Sequence, residues 1–216
     1  MAVKNGNYLM KRILIVDYEM GNLHSVASAI RKLGYDSKTS SDKKEILNAS
    51  HLILPGVGQF AKAISNLKLS GLDETLIEAS NSKNIKILGI CLGMQILCKS
   101  SSEGEVKTQG LGLIKTDVIK LDQDKNYKLP HIGFNEVTFN KNSIFKNSEK
   151  IVKDFYFVHS YCLRNFAEDK DTVLGYSKYK NEFISFYQKG LLFATQFHPE
   201  KSQSNGLNFL KLFFES

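Results

Sequence analysis

Residues Ile85–Leu97 read IKILGICLGMQIL, and this stretch decides the class of fold. Its first six residues are mostly apolar, as in a β-strand that is covered on both faces. The residues from 91 to 100 have a helical pattern, and Gly89 and Gly93 stand two positions before and after Cys91. The pattern predicts a strand, a sharp turn at Cys91 and a helix, with the two glycines making room for a strained backbone at the turn.

The same alternation of strand-like and helical segments fills the first half of the chain. Strand-like runs are RILIVDY (12–18), HLILPG (51–56) and IKILGI (85–90), and helical patterns are LHSVASAIRKLG (23–34) and the stretch 60–80. Because strands that alternate with helices form parallel sheets through right-handed crossovers, we predict an α/β fold. The central sheet is predicted to be mostly parallel, with helices on both faces.

From about Gly110 onward the pattern changes to strand-like segments with few helices between them. These segments are LGLIKTDVIKL, NEVTF, DFYFVHSYCL, TVLGYS, EFISFYQ and LLFATQF. They predict antiparallel strands added to the sheet in the C-terminal half. The final segment, SNGLNFLKLFFES, predicts a helix whose apolar stripe contains Leu207, Leu210, Phe213 and Phe214.

Length and composition restrict the class of protein. With 216 residues, 42% of them hydrophobic and 24% charged, the chain is long enough to bury its own core. We predict one domain over residues 11–216, preceded by a flexible extension over residues 1–10. No apolar run approaches the roughly 20 residues of a membrane helix, and no apolar segment of a secretory signal follows the basic start. The expected location is therefore the cytoplasm, without membrane attachment.

Charge and cysteine content exclude two further classes. The formal net charge is +7, but the lysines are scattered and no basic stripe alternates with aromatic residues, so nucleic-acid binding is not predicted. The three cysteines, Cys91, Cys98 and Cys162, form no Cys-x-x-Cys pair, so neither a disulfide framework nor a metal site is predicted. Cys98 and Cys162 lack flanking glycines and are predicted to be structural.

Cys91 is the candidate nucleophile. A helix that begins directly after it directs free N–H groups and the positive end of the helix dipole towards the sulfur, which favours the thiolate. The N–H of Leu92 would face the oxygen of a carbonyl under attack and supply half of an oxyanion hole.

A candidate base lies near the other end of the chain, in ATQFHPEKSQ (194–203). His198 follows an apolar strand, and Pro199 restricts it to an extended conformation. Residues i and i+2 of an extended segment face the same side, so Glu200 is predicted to lie beside His198 and orient its ring. Carboxyl ends of neighbouring parallel strands meet at one edge of a sheet, which would bring His198 to Cys91.

Three segments together resemble the class I glutamine amidotransferases: GICLGMQ (89–95), FHPEKS (197–202) and LPGVGQF (54–60). Within that family, VDYEMGNLHSV (16–26), PHIGFN (130–135) and FYFVHSY (155–161) are similar to the HisH-type glutaminase subunit of imidazole glycerol phosphate synthase. The resemblance covers the chain from about residue 11 and implies the family's flavodoxin-like fold.

The resemblance implies a Cys-His-Glu triad in which Cys91 is the nucleophile, His198 the general acid and base, and Glu200 the residue that orients His198. The implied reaction is attack on the side-chain amide of glutamine, release of ammonia and hydrolysis of the thioester to glutamate. The resemblance implies no metal or organic cofactor.

The resemblance also implies the residues that surround the substrate. The second oxyanion-hole amide would come from the loop around Val57 and Gly58. The implied contacts to glutamine are Gln95, Glu103, Ser160 and Tyr161. Glu105 is an alternative to Glu103, because it stands at similar spacing.

The resemblance also implies a partner protein. It is a (β/α)₈-barrel cyclase subunit of the HisF type, which forms a heterodimer with the glutaminase and uses the ammonia to make imidazole glycerol phosphate and AICAR in histidine biosynthesis. The implied interface residues are Asn22, Pro130, Phe134 and Asn135.

Two positions on the predicted partner face depart from the family pattern. Glu19 stands where the family commonly has a small residue, and Phe134 stands where it commonly has tryptophan. An alternative function is therefore a HisH-like paralogue that supplies ammonia to a different synthase, for example one that amidinates a nucleotide-linked or surface sugar. Two further alternatives are a stand-alone γ-glutamyl cysteine hydrolase and a catalytically silent regulatory partner.

Overall fold

The computed structural model describes residues 11–140, 145, 154–164, 166 and 170–216. The predicted extension over residues 1–10 lies outside these ranges. The helices in the described ranges are α1 (Leu23–Lys32), α2 (Lys43–Asn48), α3 (Phe60–Ser70), α4 (Leu72–Asn81), α5 (Leu92–Ile96) and α6 (Gln203–Glu215). The strands are β1 (Ile13–Val16), β2 (Ser37–Ser40), β3 (His51–Gly56), β4 (Lys86–Cys91), β5 (Cys98–Ser101), β6 (Thr108–Gln109), β7 (Ile114–Lys120), β8 (His131–Glu136), β9 (Thr138–Phe139), β10 (Asp154–His159), β11 (Tyr161–Leu163), β12 (Thr172–Tyr179), β13 (Asn181–Lys189) and β14 (Leu192–Thr195).

Twelve of the described strands form one sheet. Five adjacent strands, in the order β2-β1-β3-β4-β14, run parallel to one another. Strand β13 pairs antiparallel with β14, and the sheet continues through β11, β7, β5 and β6, with β12 and β9 attached beside β13. The predicted α/β fold is confirmed, including the antiparallel additions in the C-terminal half.

Both faces of the parallel strands are covered by apolar side chains. In β1, Leu14 and Val16 belong to one buried cluster, whereas Ile13 and Ile15 belong to a second cluster on the opposite face. Helices α3 and α4 contribute to the first cluster, and α1 and α6 contribute to the second. This double coverage explains why the strands read as continuous apolar runs. Within the described ranges, none of the helices combines the length and the apolar character needed to cross a bilayer.

Two helices differ from the prediction. The stretch 60–80 is two helices, because Gly71 between α3 and α4 has a φ of 66°, which a right-handed helix cannot include. The helix after Cys91 ends at Ile96 instead of reaching residue 100. The carbonyls of Leu97 and Cys98 accept hydrogen bonds from residues 112–114, so tertiary pairing converts this part of the predicted helix into β5.

Residues 131–135 of the motif PHIGFN lie in strand β8, which sequence periodicity did not reveal. It pairs antiparallel with β10 in a separate two-stranded sheet, where His131 lies opposite His159 and Phe134 opposite Tyr156. Ile132 and Phe134 are exposed on one face of β8, whereas His131 on the other face is buried. The small sheet therefore presents apolar side chains to solvent and a histidine to the interior.

Candidate active site

Cys91 lies at the turn between β4 and α5 with a φ of 54° and a ψ of −108°. A positive φ is strained for a residue with a side chain. A Cβ on Gly93 would overlap the carbonyl oxygen of Leu54, and one on Gly89 would lie 2.8 Å from the oxygen of Gly93. The sharp turn predicted from the glycine spacing is therefore present, and the glycines allow the strand and the helix to approach closely.

His198 and Glu200 form a buried pair next to the end of β14. The Nδ1 atom of His198 lies 2.8 Å from Oε1 of Glu200, and the two side chains are 2% and 3% exposed. The predicted pairing is present, but the predicted reason for it was wrong. Residues Pro199–Lys201 form a 3-10 turn, and this turn, rather than the i and i+2 spacing of an extended strand, brings Glu200 back to the histidine.

The electrostatic surroundings favour a charged His198. Burial alone would lower the pKa of the imidazole, but Cys91 and Glu200 outweigh burial and raise it to about 10. The Nε2 atom is buried and makes no hydrogen bond of standard geometry in the part of the chain that the structure describes, although Cys91 is near enough to interact with the ring. The ring can therefore use Nε2 to exchange a proton with the sulfur or with a leaving group.

A cavity of about 450 Å³ opens at Cys91. Eight residues of the predicted site line it: Val57, Gly58, Cys91, Leu92, Gln95, Glu103, Ser160 and Tyr161. The side chains of His198 and Glu200 are buried, and neither residue belongs to this lining. Of the two alternatives for a substrate contact, Glu103 lines the cavity, whereas Glu105 is exposed and does not.

Glu103 also has a contact that the sequence did not predict. Its Oε2 accepts a hydrogen bond of 2.8 Å from the backbone N–H of Phe60, the first residue of α3. Gln59 at the N-cap of α3 makes no side-chain hydrogen bond to the helix, so the distant carboxylate caps it instead. Glu103 thereby fixes the loop that contains Val57 and Gly58.

The segment from Tyr18 to Asn22 packs against the same loop. The buried hydroxyl of Tyr18 donates a 2.6 Å hydrogen bond to the carbonyl of Pro55, and burial raises the pKa of this phenol, so the proton stays in place. A Cβ on Gly58 would lie 2.8 Å from Cε of Met20. The position of the loop therefore depends on residues that lie next to the predicted partner face.

Asn22 and Asn135, both predicted interface residues, have structural contacts of their own. The side chain of Asn22 caps α1 by accepting a hydrogen bond from the N–H of Ser25 at 3.1 Å. The side-chain nitrogen of Asn135 donates to the carbonyl of Lys178 at 2.9 Å, and its oxygen accepts from the N–H of Glu136 at 2.8 Å. Contact with a partner stays a prediction for both residues.

Gln95 is fixed by hydrogen bonds around its side-chain nitrogen. Nε2 lies 2.9 Å from the carbonyl oxygen of Tyr161 and 3.0 Å from Oε1 of Gln196. Both N–H groups of Gln95 are therefore used inside the protein, and its oxygen is left for the cavity. Gln196 is fully buried and was missed by sequence reasoning, although it stands in the motif that contains His198.

Two buried histidines lie beside the cavity. Nδ1 of His131 is 3.1 Å from Nε2 of His159, and Nδ1 of His159 is 2.8 Å from the carbonyl oxygen of Tyr161. Burial lowers the pKa of His131 to about 4 and that of His159 to about 3. Both rings are therefore neutral at pH 7. Because a carbonyl oxygen only accepts, His159 carries its proton on Nδ1 and accepts the proton of His131 on Nε2.

Acid should destabilise the fold through the three buried histidines whose pKa values are lowered, His51, His131 and His159. Burial, with nearby Lys86 and Lys11, also lowers the pKa of His51 to about 4, below the value near 6.5 of an unfolded chain. Well above pH 6.5 the histidine ring is neutral in both the folded and the unfolded protein. Between pH 6.5 and 4 only the unfolded chain binds the proton, so stability falls as pH falls, by roughly 2 kcal/mol per histidine at pH 5.

The His51→Phe variant tests this pH dependence. His51 already lies among aromatic rings, with the centroids of Phe213 and Phe214 each 5.6 Å away, so a phenyl ring suits the position. Urea unfolding should show a loss of stability between pH 7.5 and 5 that is roughly 2 kcal/mol smaller in the variant. An identical loss in both proteins would contradict the prediction.

The fold and the site agree with the comparisons to known proteins. The family model described as "Glutamine amidotransferase class-I" matches residues 14–216. The chain therefore belongs to the class-I glutamine amidotransferases. Among its curated relatives is imidazole glycerol phosphate synthase subunit HisH 1 of Parasynechococcus marenigrum, which is 46% identical over 94% of this chain and 97% of the relative. The HisH subunit of Caldanaerobacter subterraneus is 44% identical over 93% and 96%, respectively.

Solved structures support the same fold at lower sequence identity. A glutamine amidotransferase crystal structure superposes with a TM-score of 0.69 at 16% identity and covers 94% of this chain and 97% of its own. The structure of PurLQS from Thermotoga maritima also gives 0.69 at 16% identity, covering 96% and 99%. The resemblance to HisH-type amidotransferases is thus confirmed by sequence, and the family fold by structure.

Proposed function

We propose that this chain is the glutaminase subunit of imidazole glycerol phosphate synthase and works in histidine biosynthesis. It hydrolyses glutamine to glutamate and ammonia and passes the ammonia to a HisF-type (β/α)₈-barrel cyclase subunit. The observation that carries the activity is the buried His198–Glu200 pair beside Cys91, which stands at the strained turn where the cavity opens. The assignment to histidine biosynthesis is supported by the relatives that are named HisH subunits of imidazole glycerol phosphate synthase. A cytoplasmic location is part of the proposal.

The geometry supports a two-step reaction. The thiolate of Cys91 attacks the carboxamide carbon of glutamine, and N–H groups of Leu92 and of the loop at Val57 and Gly58 stabilise the oxyanion. Protonated His198 gives the proton on Nε2 to the departing nitrogen, so ammonia leaves and a thioester remains. His198 then takes a proton from water, the hydroxide attacks the thioester, and glutamate leaves as the thiolate re-forms. Glu200 keeps the ring in one orientation throughout.

The exposed face of β8 supports the proposed partner site. Phe134 is 50% exposed and Ile132 is 60% exposed, and both project from the strand that follows Pro130. Pro130 itself lines the cavity at Cys91. An apolar surface that continues from the rim of the active-site cavity suits a partner that receives ammonia, because docking there encloses the cavity mouth.

Adding the cyclase subunit of the same organism, together with its nucleotide ligand, tests the proposal. Ammonia release from glutamine should rise when the loaded cyclase is bound, and imidazole glycerol phosphate should form with glutamine as the nitrogen source. High activity that the cyclase does not change would favour a stand-alone hydrolase. Activation by a sugar-modifying synthase instead would favour the paralogue, for which Glu19 and Phe134 are the relevant departures.

Phe134→Ala should weaken binding of the cyclase about tenfold or more, because a large exposed ring that becomes buried at an interface contributes strongly to affinity. Calorimetric titration measures the change. Ile77→Ala is the matched control, since Ile77 is a 38% exposed residue on α4 that does not line the cavity. Equal affinities of the two variants would place the interface elsewhere.

A further inference from the structure

The orientation of the Gln196 side chain follows from its neighbours. The carbonyl oxygen of Tyr161 can only accept, so the atom of Gln95 that lies 2.9 Å from it is the nitrogen. The same nitrogen lies 3.0 Å from the end of Gln196, which must therefore present its oxygen. The nitrogen of Gln196 is left on the other side, 3.6 Å from Sγ of Cys91. A flipped amide would place two donors against each other.

Further hydrogen bonds fix the groups on either side of Gln95, the carbonyl of Tyr161 and the residue Gln196. The carbonyl oxygen of Tyr161 also accepts from Nδ1 of His159, whose other nitrogen accepts from His131. Gln196 is fully buried, and its backbone N–H is bound to the carbonyl of Ser185 at 2.9 Å. The side chain therefore has one orientation and no access to water, so it cannot exchange its contact with the sulfur for a solvent contact.

From this arrangement we infer that Gln196 is a catalytic residue, which donates an N–H hydrogen bond to the sulfur of Cys91 and stabilises the thiolate. The inference deepens the proposed glutaminase function, on which it rests for the role of Cys91. An N–H donor preferentially stabilises the ionised form of the atom that accepts from it, and this preference grows where water is excluded. Gln196 would thus supplement His198, which acts on the same sulfur by its charge.

Other groups that titrate or carry charge interact with Cys91, pair with such a group or line the same cavity. They are His198 with Glu200 on the turn after β14, Tyr18 after β1, Glu103 after β5, His159 at the end of β10 and Lys201 on the 3-10 turn. The test must therefore change Gln196 alone and compare complete pH profiles. Gln196→Met retains the length of the side chain and removes the donor.

The experiment measures alkylation of Cys91 by iodoacetamide as a function of pH, without glutamine and without a partner. The midpoint of the profile for Gln196→Met should move about one pH unit higher than that of the unchanged protein. The matched control is Thr195→Val. Thr195 is equally buried and adjacent in the chain, but its hydroxyl donates to the carbonyl of Phe197, so the control midpoint should not move. An unchanged midpoint in Gln196→Met, or an equal shift in the control, overturns the inference.

A second variant and a second measurement cover the case in which Gln196→Met does not fold. Gln196→Glu places a carboxylate oxygen against the sulfur and should shift the midpoint further upward than the methionine variant does. In the unchanged protein, the side-chain N–H resonances of Gln196 should move when Cys91 is alkylated, and static resonances would overturn the inference. Alkylation does not require glutamine turnover, so a protein without glutaminase activity can still support or refute the role of Gln196.

Discussion

Replacing Cys91 with serine is expected to reduce ammonia release from glutamine by about a thousandfold or more while the protein remains folded. In the proposed reaction the sulfur attacks as an anion beside a positively charged His198, whereas a serine hydroxyl would keep its proton in the same place. Serine nearly matches cysteine in size and can adopt the same turn. Ammonia release, measured with and without the proposed partner, gives the size of the loss, and circular dichroism checks the fold.

Covalent labelling provides the control for the cysteine assignment. A glutamine-like diazoketone should modify Cys91, which lines the cavity, and leave Cys98 and Cys162 unmodified, since both are completely buried. Burial also raises the pKa of both of these thiols, so neither is poised as a nucleophile. Cys98→Ala should retain ammonia release. Label on Cys98 or Cys162, or an active Cys91→Ser protein, would contradict the assignment.

Gly93→Ala is expected to destabilise the protein strongly. The added carbon would overlap the carbonyl oxygen of Leu54 in β3, where the strand and α5 are in backbone contact. Neither partner is a flexible side chain end, so the strand itself must move. The expected cost is about 3 kcal/mol or more in the free energy of unfolding, measured by urea denaturation.

The matched control for this substitution is Gly34→Ala. Gly34 follows α1 with a φ of 82° and has open space where a Cβ would be, so only the backbone strain of a left-handed residue is added. That strain costs about 1 kcal/mol. Equal losses of stability in the two variants would show that Gly93 is not needed for the close approach of α5 to β3. Any folded Gly93→Ala protein should also lose activity, because β3 leads directly into the loop at Val57.

The parts of the site that sequence predicted are those that depend on local spacing. The turn at Cys91 is recognisable because its glycines stand two residues away, and the glutamate neighbour of His198 is only two residues along the chain. For Glu200 the predicted geometry was wrong. The sequence indicated an extended segment, whereas Pro199–Lys201 form a 3-10 turn.

The parts that sequence could not predict depend on which strands become neighbours. Gln196 reaches the sulfur because β14 pairs with β4, two strands that are about a hundred residues apart in the chain. His131 meets His159 because β8 pairs with β10. No periodicity in the sequence encodes these pairings, and a buried glutamine or histidine carries no local mark of its partner. The same holds for Glu103 as the cap of α3.

The hydrogen bonds of Gln95 restrict which ligand groups can bind beside it in the cavity. Both of its protons are bound to Tyr161 and Gln196, so the group that it presents to the cavity is an oxygen. Any ligand atom that pairs with this oxygen must bring a proton of its own. An amide or an ammonium can do so, but an ionised carboxylate cannot. The hydrogen bonds that fix Gln95 therefore make this part of the cavity suited to a ligand group that brings a proton.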